Sequence, residues 1–244
     1  MLVGRPIKVK GGAPMALATT DQGAGSGGGR AAISRRRRTE IVRAAVTVLG
    51  RRGSADTSMK EIAREAGVAP GLLHYYFESK DELLLAVVGE LDRQTEEAWE
   101  AAVGGLDDPL ERLVAGLDAA AHRCARHPEL WRALLDVSML SLSHPPLRAR
   151  CQELRMRLAS AIEVEVRGTL GRLPAYSLVA PRDLAGAIAA ALEGAAVAAL
   201  VGGRDTTAWV RALTVMVLSV VVTAYVTAGQ EPPVAGLAQL LRTR

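Results

Sequence analysis

Cysteine is nearly absent from this chain: Cys124 and Cys151 are the only two in 244 residues. No disulfide framework is expected, and a reducing compartment, the cytoplasm, is the expected setting. Aromatic residues are few as well, limited to Trp99, Trp131, Trp209, four Tyr and Phe77. No stretch alternates apolar and polar residues with a period of two, which argues against a sheet. No N-terminal apolar run has the length of a signal peptide. Also missing are a G-x-S-x-G elbow, a phosphate-binding P-loop and a zinc-helix motif, and no Cys–His pair is placed for nucleophilic catalysis. Neither enzymatic activity nor a cofactor is therefore expected. A metal is not expected either, because His122 and Cys124 would stand about 200° apart on a helix. Cys124 with His127 supplies only two ligands.

What is abundant is Ala, Leu and Val, which favour helix over strand. The net charge of +4 conceals an uneven distribution. Residues 1–80 hold 14 Lys and Arg against 6 acids, whereas residues 81–244 hold 16 against 20. The N-terminal part therefore suits a polyanion, either nucleic acid or an anionic membrane surface. The length allows one or two domains, and two is the working number.

Residues 1–34 read as a basic, glycine-rich, disordered tail in which Met15 is an alternative start. Gly23 to Gly28 formally satisfies G-x-G-x-x-G, yet neither flank supplies the strand and helix that this dinucleotide motif needs. From Arg35 onward every segment reads as helix. Ile41, Ala44, Ala45, Val48 and Leu49 form one apolar stripe that Gly53 closes. A short helix follows, started by a capping box of Ser58 and Glu61, burying Ile62, Ala63 and Ala66 and ending at the Gly67 turn. Ala69-Pro70 opens another, which buries Leu73 with Tyr76 or Phe77. Ser79 and Glu82 start a long fourth helix that reaches Trp99 or beyond.

Two short helices about a glycine turn, held on a preceding amphipathic helix, give helix-turn-helix geometry over residues 35–84. With Leu73 and Phe77 inward, Pro70, Gly71, His74 and Tyr75 face outward together. Gly71 permits close backbone approach to a duplex, and the helix N-terminus suits a phosphate.

Arg38, Ile41-Val42, Ala44-Ala45, Gly53, Thr57, Ile62-Ala63, Ala66-Gly67-Val68, Gly71, Leu73, Phe77 and Ser79-Lys80 together resemble the DNA-binding region of tetracycline-repressor (TetR) family regulators. The resemblance covers residues 35 to about 85. It implies a homodimer on a palindromic double-stranded DNA operator, with an all-helical ligand-binding domain behind each reading head. Carried over, it makes Thr57, Ser58, Ala69, Pro70, Gly71, His74 and Tyr75 groove or phosphate contacts and Lys80 a phosphate contact. Arg35, Arg36, Arg37 and Arg38 would track the backbone or enter the minor groove. The chain departs from the family in carrying Ala69 where Ser or Thr usually caps the third helix. That exchange forfeits about 1 kcal/mol of capping. The family's common Tyr and His near the end of this helix are here His74 and Tyr76.

Residues 85–244 are expected to form the ligand-binding and dimerisation domain. Helices are predicted from Pro109 to about His127, Glu129 to Leu142, Leu147 to Leu170, Pro181 to Val201 and Asp205 to Ala228, with a short one after Pro233. Trp131, Leu134, Leu135, Met139 and Leu142 form a stripe that is core or lines a cavity for an apolar or amphipathic effector. Ala187, Ala191, Gly194 and Ala198, with Val217 and Val221 on the last long helix, are the expected dimer seam. Ala212 to Ala228 is uncharged and near the lower length limit for a membrane span, but a buried helix is the preferred reading. Effector binding would shift the fourth helix and weaken operator binding. A DNA-binding regulator without a ligand, or a membrane-associated helical protein, are the alternatives.

Overall fold

The computed structural model describes residues 26–171, 173, 179–203 and 206–232. The expected disorder of residues 1–25 and the short helix after Pro233 lie outside them. Among the described residues there is no strand, and the helices are α1 (Ser26–Arg52), α2 (Met59–Glu65), α3 (Pro70–Tyr76), α4 (Lys80–Val103), α5 (Pro109–Arg126), α6 (Pro128–Leu140), α7 (Pro145–Leu170), α8 (Pro181–Gly202) and α9 (Thr206–Thr227), with one 3-10 turn at Ser141–Ser143.

The chain divides into residues 1–37 and residues 38–244, and α1 crosses the division. Residues 26–34, expected as tail, are helical. Once the Ile41–Leu49 stripe nucleates the helix, adding residues such as Ala31 and Ala32 costs little.

Local chemistry sets most helix ends. The Ser58 hydroxyl accepts from Glu61 N–H while the Glu61 carboxylate accepts from Ser58 N–H, the predicted capping box. The Ser79 box is half formed, since Ser79 caps Glu82 N–H but the Glu82 carboxylate reaches back to Glu78 N–H. Asp108 caps α5 through the N–H groups of Leu110 and Glu111. Between α2 and α3, Gly67 sits at φ +65°, and Val68 N–H closes on the Ala63 carbonyl at 2.9 Å. A left-handed residue there satisfies the last carbonyls of α2 and reverses the chain.

Two large cores organise residues 38–244. The first joins Ile41, Leu49, Ile62, Leu73, Phe77 and Leu84 of the helix-turn-helix to Val137 of α6 and Leu147, Cys151 and Leu154 of α7. It runs without a break across residues 84 and 85. At Gly50, a Cβ atom would stand 2.3 Å from the Glu129 carbonyl oxygen, so α1 and α6 meet backbone to backbone. The second core joins Trp99 and Val103 of α4 to Leu113 and Leu117 of α5, Ile162 of α7, Ile188 and Leu192 of α8 and Val210 of α9.

Buried carboxylates tie the helices further. Glu90 accepts from Arg43 of α1 and from Arg93; Asp92 lies 3.2 and 3.0 Å from Arg150 and Arg157 of α7; Glu165 of α7 pairs with Arg112 of α5.

By length and composition α8 and α9 would each span a membrane, yet 33% and 39% of their most apolar windows is buried inside the protomer. For residues 212–228, where a buried helix is the preferred reading, one side of α9 is buried and the other is exposed.

Candidate nucleic-acid interface and effector cavity

Helix α3 is amphipathic over only two turns, and its burial is polarised. Leu73 and Phe77 are fully buried, while Tyr75 is 77% exposed. Pro70, Gly71 and His74 are exposed beside it. The Tyr75 ring meets Tyr76 edge to face at 5.2 Å, which holds the outward phenol in place. Ala69 occupies the N-cap without a side-chain hydrogen bond, and Pro70 follows at the first helical position. Pro70 has no N–H and those of Leu72 and Leu73 donate to the Ala69 carbonyl, so in this first turn the Gly71 N–H is the donor without an acceptor among the described residues.

Three expected contacts are placed differently. Thr57 is buried, and its hydroxyl donates to the Gly53 carbonyl at 2.6 Å, so it fastens the α1–α2 loop instead of facing solvent. The Lys80 ammonium donates to the Ser54 carbonyl of the same loop. Arg38 stacks its guanidinium 4.5 Å over the centroid of the buried Phe77 ring and reaches Glu82. These basic side chains gain a cation–π contact or a backbone acceptor within the fold, which sequence position alone does not reveal. Ser58 is exposed, but its hydroxyl serves the capping box. Arg35, Arg36 and Arg37 lie exposed along α1.

The same loop has a partner the sequence did not disclose. Ser54 N–H donates to the Asp136 carboxylate of α6 at 2.7 Å, across 82 residues of chain. Helix α6 turns Trp131 and Leu134 the other way, into a cavity of about 50 Å³ between α4, α5, α6, α7 and α8. Leu91, Trp99, Leu130, Leu154, Leu158 and Leu192 supply most of the remaining apolar wall. A larger groove of about 370 Å³ between α4 and α7 shares Thr95, Trp99, Leu154 and Leu158 with it and is rimmed by Asp92, Glu96, Glu100, Glu153 and Arg157.

Of the expected effector residues, Trp131 and Leu134 line the cavity. Leu135 does not, and Met139 and Leu142 are 66% and 62% exposed. Each step along a helix turns the side chain by about 100°, so the apolar run on α6 wraps past the cavity onto the surface. Leu142 lies beyond α6, in the 3-10 turn. The sequence-level reading missed Arg123, which lines the cavity from the last turn of α5. His122 bonds its own helix at Asp118, His127 faces Glu129, and Cys124 is buried, with burial pushing its thiol above the usual range.

On α8, Ala187, Ala191 and Gly194 are exposed and Ala198 is half-buried. Val217 and Val221 of α9, expected on the same seam, are instead buried in the protomer's own core. The free apolar face of α9 carries Trp209, Val215, Met216, Val220 and Val226. On a helix apolar all round, composition cannot say which side faces inward.

The family described as bacterial regulatory proteins, tetR family, matches residues 41–87. The HTH-type transcriptional regulator BetI of Brucella anthropi is 44% identical over 79 residues, 32% of this chain and 41% of that relative. The chain thus matches about two fifths of the length of that curated relative. A transcriptional regulator from Saccharomonospora viridis, solved in complex with choline, shares the fold with a TM-score of 0.66 at 22% identity, covering 73% of this chain and 94% of that one. The regulator FadR from Bacillus subtilis, solved with stearoyl-CoA, has a TM-score of 0.66 at 19% identity, covering 75% and 98%. The matched segment begins at Ile41 in α1 and ends at Val87 in α4, so it contains the whole turn about Gly67 and the α3 face that displays Tyr75. The helix-turn-helix segment, residues 41–87, is thus similar to the bacterial regulatory proteins of the tetR family, and the all-helical fold is shared with solved regulators.

Proposed function

We propose that this protein is a ligand-responsive transcriptional repressor. It binds a palindromic DNA operator as a homodimer and is released by a small-molecule effector. The observation that carries the reading is the polarity of α3, whose inner side is anchored by Leu73 and Phe77 while Pro70, Gly71, His74 and Tyr75 stand outward on one face. The Gly71 N–H at the start of α3 meets a phosphate, and His74 and Tyr75 reach base edges in the major groove. Arg35, Arg36 and Arg37, exposed on α1, add phosphate contacts.

Dimerisation uses the exposed sides of α8 and α9, where Ala187, Ala191 and Gly194 admit close helix approach and Trp209, Met216 and Val220 need cover. A twofold axis there sets the two α3 helices about 34 to 36 Å apart, one turn of DNA.

Release runs through α6 as well as α4. An effector between Trp131, Leu134 and Leu91 moves α6, whose Asp136 holds the loop before α2. A coupling of about 1 to 3 kcal/mol is enough for 5- to 150-fold derepression. The fold neighbours holding choline and stearoyl-CoA show how unlike the ligands of such regulators are, so the effector must be read from this chain's own lining.

The test is selection of bound duplexes from a random pool, followed by titration of the recovered sequence. Wild-type protein should enrich a palindrome with a steep salt dependence, and Tyr75→Ala should weaken binding by about 1 to 3 kcal/mol and relax one base position per half-site. If Tyr75→Ala leaves both affinity and base preference unchanged, the assignment of the DNA-facing side is wrong.

A further inference from the structure

The cavity between α4, α5, α6, α7 and α8 contains one charged group that the fold does not answer. Arg123 projects from α5 into a wall made otherwise mostly of Leu, Ala and Trp side chains. Its guanidinium donates to the Thr95 hydroxyl at 3.0 Å. No carboxylate faces it among the described residues, and the loss of water on burial draws it below the usual arginine range. A guanidinium has five donors, so most of its bonding capacity has no partner among the described residues.

Every other charge near this space is balanced or cheap. Glu193, the one carboxylate among the described lining residues, is held in a two-pronged pair by Arg155, with both contacts at 2.9 Å. In the adjoining groove, Asp92 is answered by Arg150 and Arg157, and Glu153 by Arg150. Glu96 and Glu100 are exposed, where water screens them. The uncompensated charge at depth is therefore positive, and a cation entering this cavity would meet Arg123.

We infer that the effector is an amphipathic anion whose acidic head group pairs with Arg123 and whose carbon body lies against Trp131, Leu134, Leu154 and Leu158. This rests on the reading that the cavity is the effector site. The cavity of about 50 Å³ holds only a few waters. A carbon chain of any length must therefore continue past Trp99 into the groove of about 370 Å³ that shares its wall. Entry parts α4 from α6, which links occupancy to the Asp136 contact on the reading head.

Octanoate, octanol and octyltrimethylammonium share a carbon chain and differ in head-group charge. Each is titrated into the full-length protein, with and without the duplex recovered by selection, reading tryptophan emission, which Trp99 and Trp131 report from the cavity wall, and duplex anisotropy. Octanoate should give a saturable emission change at a concentration at least about tenfold below octanol, since a charge-assisted hydrogen bond is at stake. Arg123→Gln should bring octanoate down to the level of octanol, and Arg123→Lys should restore part of the difference. Removing a charge that no carboxylate answers should leave the melting temperature of Arg123→Gln equal to or above wild type. Tighter binding of octyltrimethylammonium, unchanged octanoate affinity in Arg123→Gln, or no saturable response to any of the three overturns the inference. Octanoate binding through Arg123 with the duplex still held upholds the head-group assignment and sinks the derepression reading instead.

Discussion

At the scale of single residues, the decisive positions are those where a side chain is spent inside the fold or withheld from it. Arg38, Thr57 and Lys80 belong to the basic and polar set that a DNA-binding segment offers, yet each is engaged by Phe77, Gly53 or Ser54. Tyr75 and His74 are the reverse, exposed on a helix whose other side is closed. Gly50 carries a prediction of its own. Alanine there gains about 1 kcal/mol of helix propensity. It also drives a Cβ to 2.3 Å from the Glu129 carbonyl oxygen, a backbone atom with no rotamer to yield. Overpacking of this kind costs about 1 to 3 kcal/mol, so thermal unfolding of Gly50→Ala should fall by a few degrees. An unchanged melting temperature would mean that α1 and α6 separate freely.

At the scale of elements, α4 is the strut between the helix-turn-helix and the rest, and Glu90 is one of its buried charges. Burial alone would raise the Glu90 carboxyl, but hydrogen bonds from Arg93, Gln94 and Arg43 outweigh it and hold the group at about 2. A carboxylate lowered on folding stabilises the protein above its unfolded value, and that contribution drains away as pH falls from about 4.5 toward about 2. Urea midpoints measured across this window should drop steeply for wild type and more gently for Glu90→Gln; parallel curves would show that Glu90 does not anchor α4 to Arg43. Helix positions were legible beforehand because their ends are written locally, in Ser58 with Glu61, in Gly67 and in Asp108. What was not legible is long-range. The bond from Ser54 to Asp136, the unanswered Arg123 and the inward turn of Val217 and Val221 depend on neighbours far along the chain. A stripe such as Trp131 to Leu142 cannot announce where it leaves the interior.

At the scale of the whole molecule, the unfinished surface is the outer side of α8 and α9. Val201 is 85% exposed and Met216 65%, in helices with few charges to keep them wet. A second protomer covers this face in the proposed assembly. Met216→Glu should therefore shift sedimentation equilibrium toward monomer by at least about tenfold and weaken the palindrome far more than a single half-site. A variant that stays dimeric at the same concentration would move the twofold axis elsewhere. The core that runs from Ile41 through Val137 to Leu154 bears on how such a regulator diversifies. A chimera that grafts this reading head onto a foreign sensor inherits an open seam unless the newcomer brings its own counterparts to Leu147, Cys151 and Asp136. In the proposed regulator, specificity for DNA and specificity for effector would then drift together, because one core carries both.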